Sequence, residues 1–260
     1  MDFTLDDDQQ ALVGLARDIL AKEATQERLD ALDAKGTWLD TDLWSHLAEA
    51  GVVGAALGED VGGGGLGFAA AALVCEQVGA HVAQVPFLET VLTALAVDRL
   101  GSPEQRAALL PSVVAGDTVL THALTETGRE SPADVAATAK AEGSSYRVTG
   151  LKTSVPFADV ARRVLVPARA GDGIVLLLVD PRADGVALHA GTGTNGLPVF
   201  EVELTDASAE VLVGPEQGAE ALGWLVDRVL TALAATGLGV SGRALALSAD
   251  YTTHREQFGR

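Results

Sequence analysis

Only one cysteine, Cys75, occurs in this chain, so no intrachain disulfide can brace it. In its Ala-Leu-Val setting the thiol reads as a small core residue, and the cytosol as the compartment. Basic residues are scarce as well: 18 against 36 acidic ones, a formal net charge of -18. Such a field repels nucleic-acid phosphates and anionic headgroups, which excludes nucleic-acid and membrane-surface roles. An anionic ligand must then be held by a few local donors, backbone N–H groups and isolated arginines. No stretch reaches the roughly 18 apolar residues of a membrane span, and Met1 to Gln10 is acidic, with no basic segment leading into an apolar one. The reading is a soluble, unprocessed cytoplasmic protein without membrane insertion. Internal repeats, low-complexity linkers and the strand–helix alternation of a dinucleotide-binding fold are also absent.

What remains is a chain of 260 residues, 48% hydrophobic, long enough to bury a sizeable core. From about Leu5 to Gly116 the apolar residues recur at helical spacing: Leu12, Leu15, Ala16 and Ile19, then Leu43, Leu47 and Ala50, then Leu73, Val74 and Val78. Ser102 followed by Pro103 has the form of an N-cap with proline at the first helical position. Near Asp117 the pattern changes to short β-rich runs, such as residues 119–124, 146–148, 163–166, 174–179 and 200–204. Seven or eight strands there suggest a small barrel or sandwich. After Val213-Gly214-Pro215 the helical period returns and continues without proline to Phe258. At 1.5 Å per residue an unbroken helix from Asp227 to Arg255 is roughly 40 Å long, so its two ends serve different places. The expected architecture is α+β and multidomain: a helical block over 1–116, a small β-barrel over 117–214 and the first part of a helical bundle over 215–260.

Four segments carry chemical information. Leu57 to Gly67 holds a glycine run that superficially suggests a phosphate loop; no strand precedes it and no Gly-Lys-Ser/Thr comes after it, so it reads as a flexible turn. Ala123-Leu124-Thr125-Glu126-Thr127-Gly128-Arg129-Glu130-Ser131 is a strand opening into a glycine-containing loop. Such an exit presents consecutive N–H groups and small hydroxyls to a ligand. Gly150-Leu151-Lys152-Thr153-Ser154-Val155-Pro156 is a turn opening a strand. The long helix ends Tyr251-Thr252-Thr253-His254-Arg255-Glu256-Gln257-Phe258-Gly259, where Arg255 favours the negative end of the helix dipole and Gly259 reads as a cap.

In this order and spacing, the four segments resemble the acyl-CoA dehydrogenase family over essentially the whole chain. The resemblance implies FAD as cofactor, an acyl-CoA as substrate and α,β-dehydrogenation of its thioester as reaction. It implies an electron-transfer flavoprotein or similar acceptor, and a homo- or hetero-oligomer. Leu124, Thr125, Ser131 and Ser154 are then expected at the flavin, Thr125 and Ser131 as hydrogen-bond donors. Arg255 and Phe258 are expected at the flavin of a neighbouring subunit, and Ser131, Asp227 and Arg228 at the substrate.

The chain also departs from that family. Glu130 and Pro132 stand where Gly and Asp are usual, and Ser154 and Pro156 replace a Trp and a Thr that lie against the flavin. Two placements of the catalytic carboxylate are known in the family. One falls here on Val229, which cannot take a proton; the other lies on a loop past Arg260. Leu230 occupies a position where an arginine is common, with Arg228 beside it. No residue is therefore assigned as the base, and Glu126 and Glu130 are the nearest alternatives. The chain is expected to stop short of a complete active site, which leaves an incomplete enzyme, one member of a paired-subunit enzyme or a silent partner. A family member acting on a non-CoA substrate is a further alternative. The apolar face of Leu225, Val229, Leu233, Val240 and Leu247 is expected to lack part of its cover.

Overall fold

The computed structural model of the chain describes residues 4–36 and 38–257. Six helices come first: α1 (Asp7–Glu23), α2 (Gln26–Lys35), α3 (Thr41–Glu49), α4 (Gly67–His81), α5 (Phe87–Leu100) and α6 (Pro103–Val114). The apolar spacing marks their buried faces, with Leu12, Ala16 and Leu20 inward on α1 while Leu15 faces water. Ser102 caps α6 as expected, accepting from the Gln105 N–H while the Gln105 side chain accepts from Ser102 N–H. The glycine run before α4 is a tight turn rather than a flexible one. A Cβ on Gly63 would lie 2.3 Å from the Leu57 carbonyl oxygen, so only a bare backbone can pass there.

Seven strands come next: β1 (Leu120–His122), β2 (Thr138–Glu142), β3 (Ser145–Pro156), β4 (Arg163–Ala170), β5 (Gly173–Val179), β6 (Val186–Thr192) and β7 (Pro198–Val213). They run in the order β1-β4-β2-β3-β7-β5, β4 also pairs with β5, and β6 lies outside on β7. The β4–β5 pairing closes β4, β2, β3, β7 and β5 into a small barrel, leaving β1 and β6 as its edge strands. Periodicity did not reveal β2 and β6, because β2 buries only Ala139 and β6 buries nothing.

Two threonines of α5 seat the barrel on the helices. The Thr90 hydroxyl donates to Leu120 O at 3.2 Å, and Thr93 Oγ1 lies 3.1 Å from His122 Nδ1. Glu89, one turn before Thr93, is buried beside them; burial pushes its carboxyl up to about 7 and the His122 imidazole down to about 4. Cys75 is fully inside α4, its thiol pushed up to about 12 by burial and then by Glu89, which makes it an inert core residue.

The last element, α7 (Gly218–His254), is one unbroken helix of 37 residues. It packs along α4 at backbone distance. A Cβ on Gly79 would meet Thr236 O at 2.1 Å, and one on Gly239 would meet Glu76 O at 1.9 Å. Phe68 at the start of α4 lies beside Arg228, so the two helices run in the same direction until α4 ends. Of the expected apolar face, Leu225 and Val229 are buried, whereas Leu233, Val240 and Leu247 are exposed.

Candidate functional site

The chemistry-bearing loop begins where β1 leaves its pairing with β4. Ala123 N–H still donates to Leu165 O, and two residues later Thr125 crosses to β3 by an isolated bridge to Thr153. The exit of β1 and the middle of β3 therefore lie edge to edge. Thr125 donates its hydroxyl proton to the Thr153 carbonyl, which leaves its oxygen lone pairs as acceptors instead of the donor expected from the sequence. Leu124 is half-buried just behind it.

Glu126 anchors the start of the loop. Its side chain turns inward, accepts from the N–H groups of Ala136 and Ala137 at 2.7 and 3.2 Å, and pairs with Lys152 Nζ at 2.5 Å. Lys152 is 1% exposed on β3, an inward position that a charged residue holds only with a partner. Burial works against the charge on Glu126, but Lys152 and the two backbone donors outweigh it and keep the carboxyl below its ordinary range. The Glu126–Lys152 pair thus clamps the base of the loop over 127–135 to the barrel interior. The sequence signal was a Gly-Leu-Lys turn leading into an alternating strand, which gives no hint that the lysine points inward.

Ser131 lies exposed on that loop. Its Oγ accepts from Ala133 N–H at 3.2 Å, so its own proton is left to donate. Glu130 is exposed beside it. On β3 the register shifts between Lys152 and Val155, and Ser154 adopts a positive φ of 54°. Two residues there oppose the span of one, so Lys152 and Val155 both face inward while Ser154 faces out. Ser154 and Thr153 line a cleft of about 300 Å³ together with His189, Phe200 and Glu201. A roomier groove of about 450 Å³ lies beside α2, where Arg28 is already engaged by Asp40 and Asp42.

A flavin ring edge alternates carbonyl and N–H groups, and it needs donors and acceptors side by side. Thr125 as an acceptor, Ser131 as a donor and the small, outward Ser154 fit such an edge.

The remaining expected residues lie on α7. Asp227 is exposed, while the neighbouring Arg228 folds the other way, its guanidinium 4.0 Å from the centre of the Trp224 ring and 5.5 Å from that of Phe68. Arg228 therefore does not stand in for an arginine at Leu230, which is exposed. Val229 is buried. Arg255 closes the helix 28 residues beyond Asp227, exposed and over the Tyr251 ring, at a distance of roughly 40 Å. Phe258 lies outside the described residues. Trp224 and Arg99, which meets the same indole ring at 5.2 Å, escaped sequence reasoning because neither belongs to a recognisable local pattern.

Residues 6–117 match the family described as acyl-CoA dehydrogenase, N-terminal domain. The whole chain is 36% identical over 263 residues to acyl-CoA dehydrogenase FadE27 of Mycobacterium tuberculosis, and spans 69% of that protein. Among solved structures, a variant of the Tcur3481-Tcur3483 steroid ACAD shares 41% identity at a TM-score of 0.93; the match covers 99% of this chain and 70% of that one. The ChsE4-ChsE5 complex from Mycobacterium tuberculosis gives 35% identity and a TM-score of 0.92, covering all of this chain and 70% of the other. With its helical block, small barrel and long final helix in the same arrangement, the chain belongs to the acyl-CoA dehydrogenase family of oxidoreductases.

Proposed function

We propose that this chain is one subunit of an oligomeric, cytoplasmic, FAD-dependent enzyme that introduces a double bond between the α and β carbons of an acyl-CoA thioester. The observation that carries the reading is likeness to an acyl-CoA dehydrogenase along the entire chain, joined to a barrel edge whose exposed hydroxyls suit a flavin. Leu124, Thr125, Ser131 and Ser154 hold FAD there, and FAD, when bound, supplies the hydride acceptor. Asp227 and Ser131 face the acyl-CoA side, and an electron-transfer flavoprotein or similar acceptor takes the electrons onward. Arg255, roughly 40 Å along α7, serves the flavin of another subunit.

Removing the α proton needs a positioned base in water-poor surroundings. Val229 is an alkyl group, and Glu126 is spent on Lys152 and two backbone N–H groups. Glu130 is solvated on the loop. None of these three can serve. That observation favours a second reading, in which the chain completes a partner's flavin site and leaves proton removal to the partner. The likeness to a ChsE4-ChsE5 complex supports pairing with a different subunit, and the likeness to a steroid ACAD supports a bulky acyl group.

Acyl-CoA oxidation with an artificial electron acceptor tests the proposal. The purified chain should turn over at least about 10² times more slowly than the chain combined with a base-bearing partner subunit, the usual cost of a missing base. Ordinary turnover by the 260-residue chain alone would contradict it and redirect attention to Glu130.

A further inference from the structure

Residues 127–134 hang from the barrel between two buried ends, Glu126 and Val135, and all of them but Pro132 are exposed. The loop holds itself only slightly. Arg129 N–H donates to Glu126 O at 3.2 Å, Asp134 N–H donates to Ser131 O at 2.9 Å, and the exposed side chains of Arg129 and Asp134 pair at 2.9 Å. Two short turns and one exposed ion pair fix a loop weakly.

The fixing comes from beneath. Three donors converge on the Glu126 carboxylate: Lys152 Nζ and Ala137 N–H on Oε1, and Ala136 N–H on Oε2. The residue at the loop's entry thus grips the residues just past its exit. Arg169 of β4 holds the exit as well, its Nε–H donating to Val135 O at 2.6 Å and its backbone N–H to Ala137 O at 2.7 Å. A Cβ on Gly150 would lie 2.6 Å from that of Ala137, so the returning chain is pressed onto β3 two residues before Lys152. Stability does not account for the charges. The Lys152 and Glu126 side chains are 1% and 6% exposed, and burial pulls the Lys152 ammonium below its ordinary value, with Glu126 working against that shift. Replacing a buried ion pair by apolar residues of similar volume is often neutral or stabilising. What an apolar pair cannot do is accept three hydrogen bonds at one point, and a glutamine offers one acceptor oxygen in place of two.

We propose that Glu126 and Lys152 are positioning residues for flavin binding: their buried pair ties the two ends of the loop together and holds Ser131 toward the same ligand edge as Thr125. The inference rests on the reading that this edge holds FAD. Both side chains are buried, so they act through Thr125, the neighbour of Glu126 in the chain, and through the loop over 127–134.

Amide hydrogen exchange and FAD titration of the purified protein test this. In the native protein the N–H groups of Ala136 and Ala137 should exchange slowly, and unprotected exchange there would overturn the proposal without any variant. Glu126→Gln/Lys152→Met leaves no unpaired buried charge. In it both N–H groups should exchange at least about tenfold faster, the scale of a lost buried hydrogen bond. The dissociation constant for FAD should rise by a similar factor, while the amides of β5 keep their protection. Arg129→Gln removes only the exposed bridge and should alter both readings less than about twofold. An equal loss in Arg129→Gln would contradict the proposal, as would unchanged loop exchange or unchanged FAD affinity in the folded double variant. A matching loss of protection across β5 would contradict it too, because the pair would then prop the barrel rather than the loop. A native protein that binds no FAD, with a loop that still loosens in the double variant, would refute the flavin reading while the tie between the loop's ends stands.

Discussion

The two halves of α7 belong to one unbroken helix, yet they live in different surroundings. From Gly218 to Gly239 the helix buries Ala221, Leu222, Leu225, Val229 and Ala232 and meets α4 at backbone distance. From Ser241 to Gln257 every residue is exposed, with Leu245 at 72% and Leu247 and Tyr251 at 53%. Both halves carry Ala and Leu, but the outer one is more polar and ends Thr252-Thr253-His254. The difference comes from α4, whose glycine-bearing face matches the inner half and which ends at His81.

Paired glycines should break this contrast with the largest effect. Gly239→Val puts a side chain where Glu76 O already sits, and the helices must part. A loss of at least about 3 kcal/mol in chemical denaturation is expected, the range of severe overpacking. Gly242→Ala, three residues on and in open space, should instead gain up to about 1 kcal/mol from helix propensity. Equal effects at both sites would show that the inner packing is not what holds α7.

A smaller effect, confined to one pH window, comes from the helix facing the inner half. Glu89 is buried on α5 near Cys75 of α4 and His122 of β1, and its carboxyl is raised from 4.5 to about 7. A raised acid contributes fully below its unfolded value and loses that contribution as pH rises through the folded one. Glu89→Gln should therefore match the native protein below pH 4.5 and exceed its stability above pH 7 by up to about 3 kcal/mol. His122 has the opposite sign. Lowered from 6.5 to about 4, it costs stability as pH falls between those values, so the acid limb of the profile should persist in Glu89→Gln. A pH-independent difference between the two proteins would show that Glu89 is ionised throughout.

The parts of the fold legible in sequence were those whose side chains carry the signal themselves. Apolar period marked α1, α3, α4 and α7, and β-branched runs marked the inward-facing strands, whereas α2 buries no residue and left no such mark. β2 and β6 were hidden because little of either is fully buried: β2 buries only Ala139, and in β6 Val186 and Leu188 are only partly buried. In the candidate site, the segments around Thr125 and Ser154 were legible as local patterns. The inward Lys152 was not, because Gly150-Leu151-Lys152 reads as a turn in sequence whereas it lies inside β3, where alternation from Val148 turns the lysine inward. The Arg99–Trp224 contact joins residues of two different helices, far apart in the chain, and no local pattern encodes that closeness.

Flavin occupancy tests the central claim, that the edge between β1 and β3 holds FAD, most directly. The oligomeric protein saturated with FAD and then desalted should retain a flavin absorbance spectrum. Thr125→Val combined with Ser131→Ala should lose most of that bound flavin with little change in thermal stability, because both side chains are exposed. Full flavin retention in the folded double variant, or no retained flavin in the native oligomer, would contradict the account.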